Sequence, residues 1–311
     1  MLVISDEAKK EMRYAKDFCV TEKNFVFFSG KSASIFDKEF RLLSKITGLN
    51  YVYSGAISPD EQHLLLLGQE DKFYTVSLDD FTMQKHRLPR PYCKELFGRG
   101  CFAFSGNGFL LAPRHETENL GVIREFSSIA ADGFTDYLGG KYRFYYLSRL
   151  QSLGKYIAIG DDVEDYKWYL FFWRDDKIER YEVKGFDDAL MEVSINEQQN
   201  TILLIGAEGT HLCDFQGNKV VNTNESVAKD RISAFVEKHL SDEIICFFEV
   251  SKENDDIVYL GTPFALLMVQ MTDGRILKKK KIDYGVHRIY ELEIGMLLIS
   301  TWSGIKLIDF R

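Results

Sequence analysis

Short apolar runs, each closed by glycine or another small residue, recur along this chain. The first three are Phe25-Val26-Phe27-Phe28-Ser29-Gly30, Leu64-Leu65-Leu66-Leu67-Gly68 and Gly108-Phe109-Leu110-Leu111-Ala112. Four more follow: Tyr156-Ile157-Ala158-Ile159-Gly160, Ile202-Leu203-Leu204-Ile205-Gly206, Ile257-Val258-Tyr259-Leu260-Gly261 and Met296-Leu297-Leu298-Ile299-Ser300-Thr301. A continuous run of this length, bounded by turn residues, predicts a strand covered on both faces, because a buried helix would need more residues. Turn-forming segments such as Ser58-Pro59-Asp60-Glu61-Gln62 and Ser105-Gly106-Asn107-Gly108 come just before several runs and predict hairpins. The closing residues Gly30, Gly68, Ala112, Gly160, Gly206, Gly261 and Thr301 are spaced by 38, 44, 48, 46, 55 and 40 residues, the signature of one supersecondary unit repeated seven times.

After several runs comes a further strand ending in an apolar residue followed by aspartate: Ser34-Ile35-Phe36-Asp37, Thr75-Val76-Ser77-Leu78-Asp79, His211-Leu212-Cys213-Asp214 and Lys306-Leu307-Ile308-Asp309. In this respect the sequence resembles the WD-repeat-like and YVTN-like β-propeller superfamily. Blades of that superfamily share a strand, a small residue, a turn and a strand closing on an aromatic-Asp pair. Trp-Asp itself and the Gly-His pair are absent here. The resemblance implies an all-β, seven-bladed β-propeller, expected to form a single domain over residues 1–311. The last repeat reaches Arg311 after its third strand, so Met1 to Ser5 are expected to supply the fourth and close the last blade.

Two segments depart from the strand pattern. Ser226 to Leu240 places Val227, Ile232, Phe235, Val236 and Leu240 near one helical stripe and predicts a short helical insert over 226–240. Ser5 to Phe18, with Ala8, Met12, Ala15 and Phe18 on one side, predicts a second helix behind a serine cap.

Composition narrows the function classes. Phe and Tyr number 24 and 16 against only 5 Pro, which favours strands. A formal net charge of -8 argues against a nucleic-acid partner, since neutralising phosphates takes a surplus of Lys and Arg. The longest apolar runs are far too short to span a bilayer, so no membrane partner is expected. Five scattered cysteines without a C-x-x-C pair suggest neither a disulfide framework nor a zinc site, and the first residues are too acidic for an export signal. A cytoplasmic protein is expected.

Candidate chemistry concentrates in two long connections. In a propeller, the connections after the seven runs share one face with those between blades. Pro113 to Asn119 and Asp161 to Lys167 follow consecutive repeats and are expected to lie side by side. Arg114, His115 and Glu116 on the first, and Asp161, Asp162, Glu164 and Asp165 on the second, would face each other across a groove, with Tyr166 and Trp168 adding contact area. Trp302, just after the last run, is a further anchor at the channel mouth. Asp161, Asp162 and Asp165 are weak candidates for a hard cation, lacking the spacing and glycine of an EF-hand loop. The run Lys278 to Lys281 is expected on an outer strand, where lysines discourage edge pairing. Arg99-Gly100 and Ser105 to Gly108 do not match a phosphate loop and are expected to be turns.

No cofactor motif and no nucleophile-base pattern is present, so no cofactor is expected. The pattern favours a non-enzymatic scaffold binding a protein or peptide on its loop face. The alternative is a lactonase-type propeller hydrolase with a metal ion at the central channel, whose ligands would come from different blades and leave no linear motif.

Overall fold

The structure, a computed structural model, describes residues 4–68, 70–96, 99–174, 177–197, 200–207, 210–219, 247–254, 256–283 and 285–311. Seven antiparallel sheets follow one another along the chain, all but the third built from consecutive strands, and the fold is a seven-bladed β-propeller. The chain divides into two compact units, Met1–Asp187 and Asp188–Arg311.

The first unit holds blade 1 (residues 17–52), blade 2 (54–87), blade 3 (100–139) and blade 4 (142–182), each four-stranded. Blade 3 carries an excursion: the strand Arg114–His115, between its second and third strands, pairs with Tyr92–Lys94 in a small sheet of its own. In the second unit, blade 5 shows the strands Leu190–Asn196, Thr201–Gly206 and Thr210–Asp214. Blade 6 (247–281) has four strands, and blade 7 comprises Val286–Glu293, Met296–Thr301 and Gly304–Asp309.

Each of the seven apolar runs is the second strand of its blade. In blade 1 this strand, Asn24–Phe28, is buried at every position, and so is Met296–Thr301 in blade 7. Burial on both faces follows from blade-on-blade packing: Val26 and Phe28 join one core cluster with Leu64 and Leu66 of blade 2. Fourth strands face solvent, and the Lys278 to Lys281 run lies on one of them, Arg275–Lys281, as expected.

Where a run closes on glycine, that residue has a steric cause. A Cβ placed on Gly160 would sit 2.6 Å from the Arg143 carbonyl oxygen, and one on Gly261 would sit 2.6 Å from Cβ of Val286. At Gly160 the first strand of the same blade, and at Gly261 the first strand of blade 7, runs too close to leave room for a side chain.

The recurring aspartates also have a local cause. Asp37 Oδ1 accepts from the backbone N–H groups of Glu39 (3.0 Å) and Arg41 (2.8 Å). Asp214 does the same for Gln216 (2.8 Å) and Asn218 (2.9 Å), while Asp309 accepts from Arg311 N–H (2.8 Å). These carboxylates fix the chain as it leaves the third strand. In blade 2 the role falls one residue later, to Asp80, which takes the Thr82 N–H at 3.1 Å.

The helix Asp6–Tyr14 begins at Ser5, whose hydroxyl accepts from Ala8 N–H at 3.1 Å. It ends earlier than the sequence pattern suggests, because Phe18 already belongs to the strand Asp17–Val20 of blade 1. Its Glu11 is buried against blade 1, accepting from Ser34 Oγ (2.8 Å) and Lys45 Nζ (2.5 Å). Of the expected closing strand Met1 to Ser5, the first three residues lie outside the described residues, as does the whole expected helix 226–240. Arg99-Gly100 is no turn: Gly100 opens the first strand of blade 3, and Arg99 forms a bridge to Leu147 of blade 4. The hairpin at Ser105 to Gly108 does form, with Gly106 N–H on the Ala103 carbonyl at 3.0 Å. Among the described residues, no helix is long and apolar enough to cross a membrane.

Candidate functional site

Blade 4 opens with the strand Tyr142–Leu150, whose pairing to Lys155–Asp162 shifts between Phe144 and Tyr146. Phe144 pairs with Gly160 and Tyr146 with Ile159, so Tyr145 is an extra, bulged residue. A bulge re-aims its side chain. The Tyr145 ring meets the Trp168 ring with centroids 5.0 Å apart, and Trp168 in turn meets Phe186 at 5.5 Å. Two guanidinium carbons also lie over Tyr145, that of Arg114 at 5.1 Å from the ring centroid and that of Arg99 at 5.7 Å.

Glu95, in the connection from blade 2 to blade 3, serves both arginines. Its Oε2 is 3.1 Å from Arg114 Nη1 and 3.7 Å from Arg99 Nη1. Arg114 Nη1 also donates to Asn119 Oδ1 at 3.1 Å, and Arg99 Nη1 to the Glu95 carbonyl at 3.3 Å. Burial, aided by the like charge of Arg114, depresses the Arg99 guanidinium to about 10 despite the opposing pull of Glu95.

The expected groove between opposed charges does not form as ion pairs. Among the described residues, no salt bridge joins Arg114 or His115 to Asp161, Asp162, Glu164 or Asp165. Asp161 is buried and bound in two places by Arg143, whose Nε donates to Oδ1 at 3.0 Å. Asp162 is buried, with Lys141 Nζ 2.5 Å away and Glu164 N–H donating at 3.0 Å. Asp165 takes the Tyr169 hydroxyl and the Lys167 N–H, both at 3.0 Å, while Glu164 stays exposed near Lys141 at 3.4 Å.

His115 Nδ1 instead accepts from the N–H groups of Thr117 (3.3 Å) and Glu118 (3.2 Å), and Glu116 pairs with Arg90 at 3.6 Å. What connects the two connections is the Arg114, Tyr145, Trp168 stack, with Trp168 buried rather than displayed. The candidate cation ligands Asp161, Asp162 and Asp165 are thus each engaged by cations or by their own loop. Among the described residues, no group of three His, Cys, Asp or Glu could hold a metal ion.

Tyr166 is displayed. It is 74% exposed, in a left-handed conformation (φ 57°), on a turn held by Tyr166 N–H to the Asp162 carbonyl at 2.8 Å and Asp162 N–H to the Lys167 carbonyl at 2.9 Å. In the second unit, Trp302 is 65% exposed at the corresponding connection of blade 7, with its ring edge-on to His287 at 4.5 Å. Phe264, which the sequence pattern does not single out, is 74% exposed at that position of blade 6. Glu95, Arg99 and Tyr145 also escape sequence reasoning. The only trace of the bulge is that Tyr142-Arg143-Phe144-Tyr145-Tyr146 breaks strict alternation.

No protein-family model matches the chain, and no curated protein matches it in sequence. Solved structures do match. The β-propeller domain of Cps50 (Swd1) from Myceliophteria thermophila aligns with a TM-score of 0.68 at 12% identity, covering 96% of this chain and 97% of that one. The Dos1 propeller aligns at 0.64 and 11% identity, covering 95% and 78%. The dihydro-heme d1 dehydrogenase NirN aligns at 0.61 and 14% identity, covering 92% of this chain and 60% of that one. At these identities the likeness is one of architecture, and in architecture the chain is a seven-bladed β-propeller.

Proposed function

We propose that the chain is a non-enzymatic interaction scaffold whose loop face binds a protein or peptide partner. One observation carries this reading. In blades 4, 6 and 7, the connection between the second and third strands presents an exposed aromatic residue, Tyr166, Phe264 or Trp302, on a hydrogen-bonded turn. In blade 6, Thr262 Oγ1 accepts from the N–H groups of Phe264 (3.3 Å) and Ala265 (3.0 Å). In blade 7, Thr301 Oγ1 accepts from Ser303 N–H at 3.2 Å. Large rings on turns that are already ordered lose little entropy on binding, which makes them effective contact residues. The thiols of Cys93, Cys101 and Cys213, not disulfide-bonded among the described residues, suit a reducing cytoplasm, and a single domain over 1–311 suits a scaffold.

The test is affinity capture with cross-linking from the native source, comparing the wild-type chain with a triple variant Tyr166→Ser, Phe264→Ser, Trp302→Ser. Because all three rings are exposed, the variant should keep the wild-type unfolding midpoint while losing the partner. Recovery of the same proteins by both chains would defeat the reading.

A further inference from the structure

The Tyr145 cluster carries more positive charge than the protein around it balances. Among the described residues, Arg99, Arg114 and Arg143 pair with only two carboxylates, Glu95 and Asp161, and Asp161 is bound at both oxygens by Arg143. One unit of charge is therefore left on the Arg99 and Arg114 pair, whose side chains are only 11% and 10% exposed. Leaving a charge so desolvated without a counter-ion is costly.

The hydrogen bonds point the same way. Every described acceptor of these two arginines engages Nη1: the Glu95 carboxylate and carbonyl, and the Asn119 amide oxygen. The Nε atoms of both are buried without a hydrogen-bond partner. The Nε and Nη2 edge of a guanidinium is a pair of parallel donors matched to the two oxygens of a carboxylate. Both side chains stand on the Tyr145 ring, which fixes them in place before any ligand arrives.

We infer that Arg99 and Arg114 form a carboxylate-binding site, filled by an acidic side chain or a terminal carboxylate of a bound peptide. The inference rests on the scaffold reading above and gives its partner a chemistry. A single uncompensated charge matches a monoanion, whereas the chain's net charge of -8 would repel a polyanion. Glu95, held on the Nη1 atoms, competes electrostatically by cancelling one unit of the pair's charge.

That competition gives the test opposite signs at neighbouring residues. The probe is a fluorescein-labelled Gly-Ser-Gly-Glu-Gly-Ser-Gly peptide with a single Glu, titrated with the full chain and read by anisotropy. Controls are the same peptide with its Glu replaced by Gln, both peptides with amidated C-termini, and a version with phosphoserine at the Glu position. Wild type should bind the Glu peptide at least roughly tenfold more tightly than the Gln peptide when both are amidated, the scale of one lost charge-assisted contact. Retention by the Gln peptide only when its C-terminus is free would assign the site to a terminal carboxylate.

Glu95→Gln should tighten binding and Arg114→Gln should abolish it. If Arg114→Gln does not fold, the sign of the Glu95→Gln effect decides. Binding that changes neither with the Glu-to-Gln exchange nor with amidation of the C-terminus, no binding of any peptide, or weaker binding by Glu95→Gln would overturn the site, and tighter binding of the phosphoserine peptide would replace carboxylate by phosphate. Partner capture that depends on Tyr166 but not on Glu95 or Arg114 would remove this site and leave the scaffold standing.

Discussion

The hydroxyl of Tyr259, on the second strand of blade 6, donates to the Glu291 carboxylate on the first strand of blade 7 at 2.6 Å. Both residues are buried, and the same carboxylate takes Ser251 Oγ at 2.9 and 3.0 Å and Lys252 N–H at 2.6 Å. Gly295 N–H completes the set by donating to the Tyr259 oxygen at 2.9 Å. A carboxylate is thus sealed between two blades by donors from two segments, with Gly295 supporting the tyrosine from a third. Tyr259→Phe removes one donor from a buried carboxylate and orphans the Gly295 N–H. It should cost about 1–3 kcal/mol in urea unfolding, far more than a surface Tyr→Phe exchange.

Burial, and next the hydrogen bond to Glu291, raises the Tyr259 hydroxyl above its ordinary value. A raised value means that the neutral form is favoured in the fold. The contribution is full below the ordinary tyrosine value of about 10 and is lost as the pH climbs above it toward the folded value. Between wild type and Tyr259→Phe, the stability gap should therefore narrow above that pH. A gap that stays constant would assign the effect to packing alone.

An acid-side counterpart lies at Asp162. Burial pushes its carboxyl up, but the Lys141 ammonium and the Glu164 N–H together outweigh this and hold it below the usual carboxylate value. Its contribution is present above about pH 4 and is lost as pH falls through the depressed folded value. Asp162→Asn should flatten the acid limb of the stability profile, measured by urea unfolding across pH.

Among the described residues Arg124 is the largest fully buried side chain, bound to Asp136 by Nε at 2.6 Å and Nη2 at 2.8 Å and lying 3.9 Å over the Phe134 ring. Lysine cannot reproduce the paired donors. Arg124→Lys should destabilise the chain by about 2 kcal/mol or more, and Asp136→Ala, which strands the buried charge, by about 3–5 kcal/mol. Denaturant midpoints at fixed salt would measure both.

Gly160→Ala tests the closing position of the apolar runs. The new Cβ would meet a backbone carbonyl at 2.6 Å, which no rotamer can relieve, so a loss of about 1–3 kcal/mol is expected. Gly133→Ala, where nothing lies within 4 Å, is the control and should be neutral or slightly stabilising.

A single domain over 1–311 predicts one cooperative calorimetric transition. Two resolved transitions would instead assign independent folding to Met1–Asp187 and Asp188–Arg311.

Much of the architecture was legible in the chain because it rests on local rules repeated seven times. Strands covered on both faces must be apolar at consecutive positions, so the second strands of all blades stand out as runs such as Leu64 to Leu67. The aspartates after the third strands are legible for the same reason: Asp37 and Asp214 bind amides two and four residues away. Solvent exposure of a fourth strand leaves its mark as Lys278 to Lys281. The candidate site obeyed no such rule. Opposite charges on neighbouring connections suggested a groove, yet Asp161 and Asp162 are taken by Arg143 and Lys141, and Arg114 is taken by Glu95.

The sequence by itself determined the number of blades, the strands that form their cores and the turns that join them, because each is set within a few residues of chain. Only the tertiary structure decided that Gly160 must be glycine because a carbonyl from the neighbouring strand approaches it, and that a bulge brings Tyr145 beneath Arg99 and Arg114. Arg99, Arg114 and Tyr145 are separated by up to 46 positions in the chain and contribute one residue each. A cluster assembled that way has no period and no spacing to read, and its excess charge exists only once burial has removed the water that would otherwise screen it.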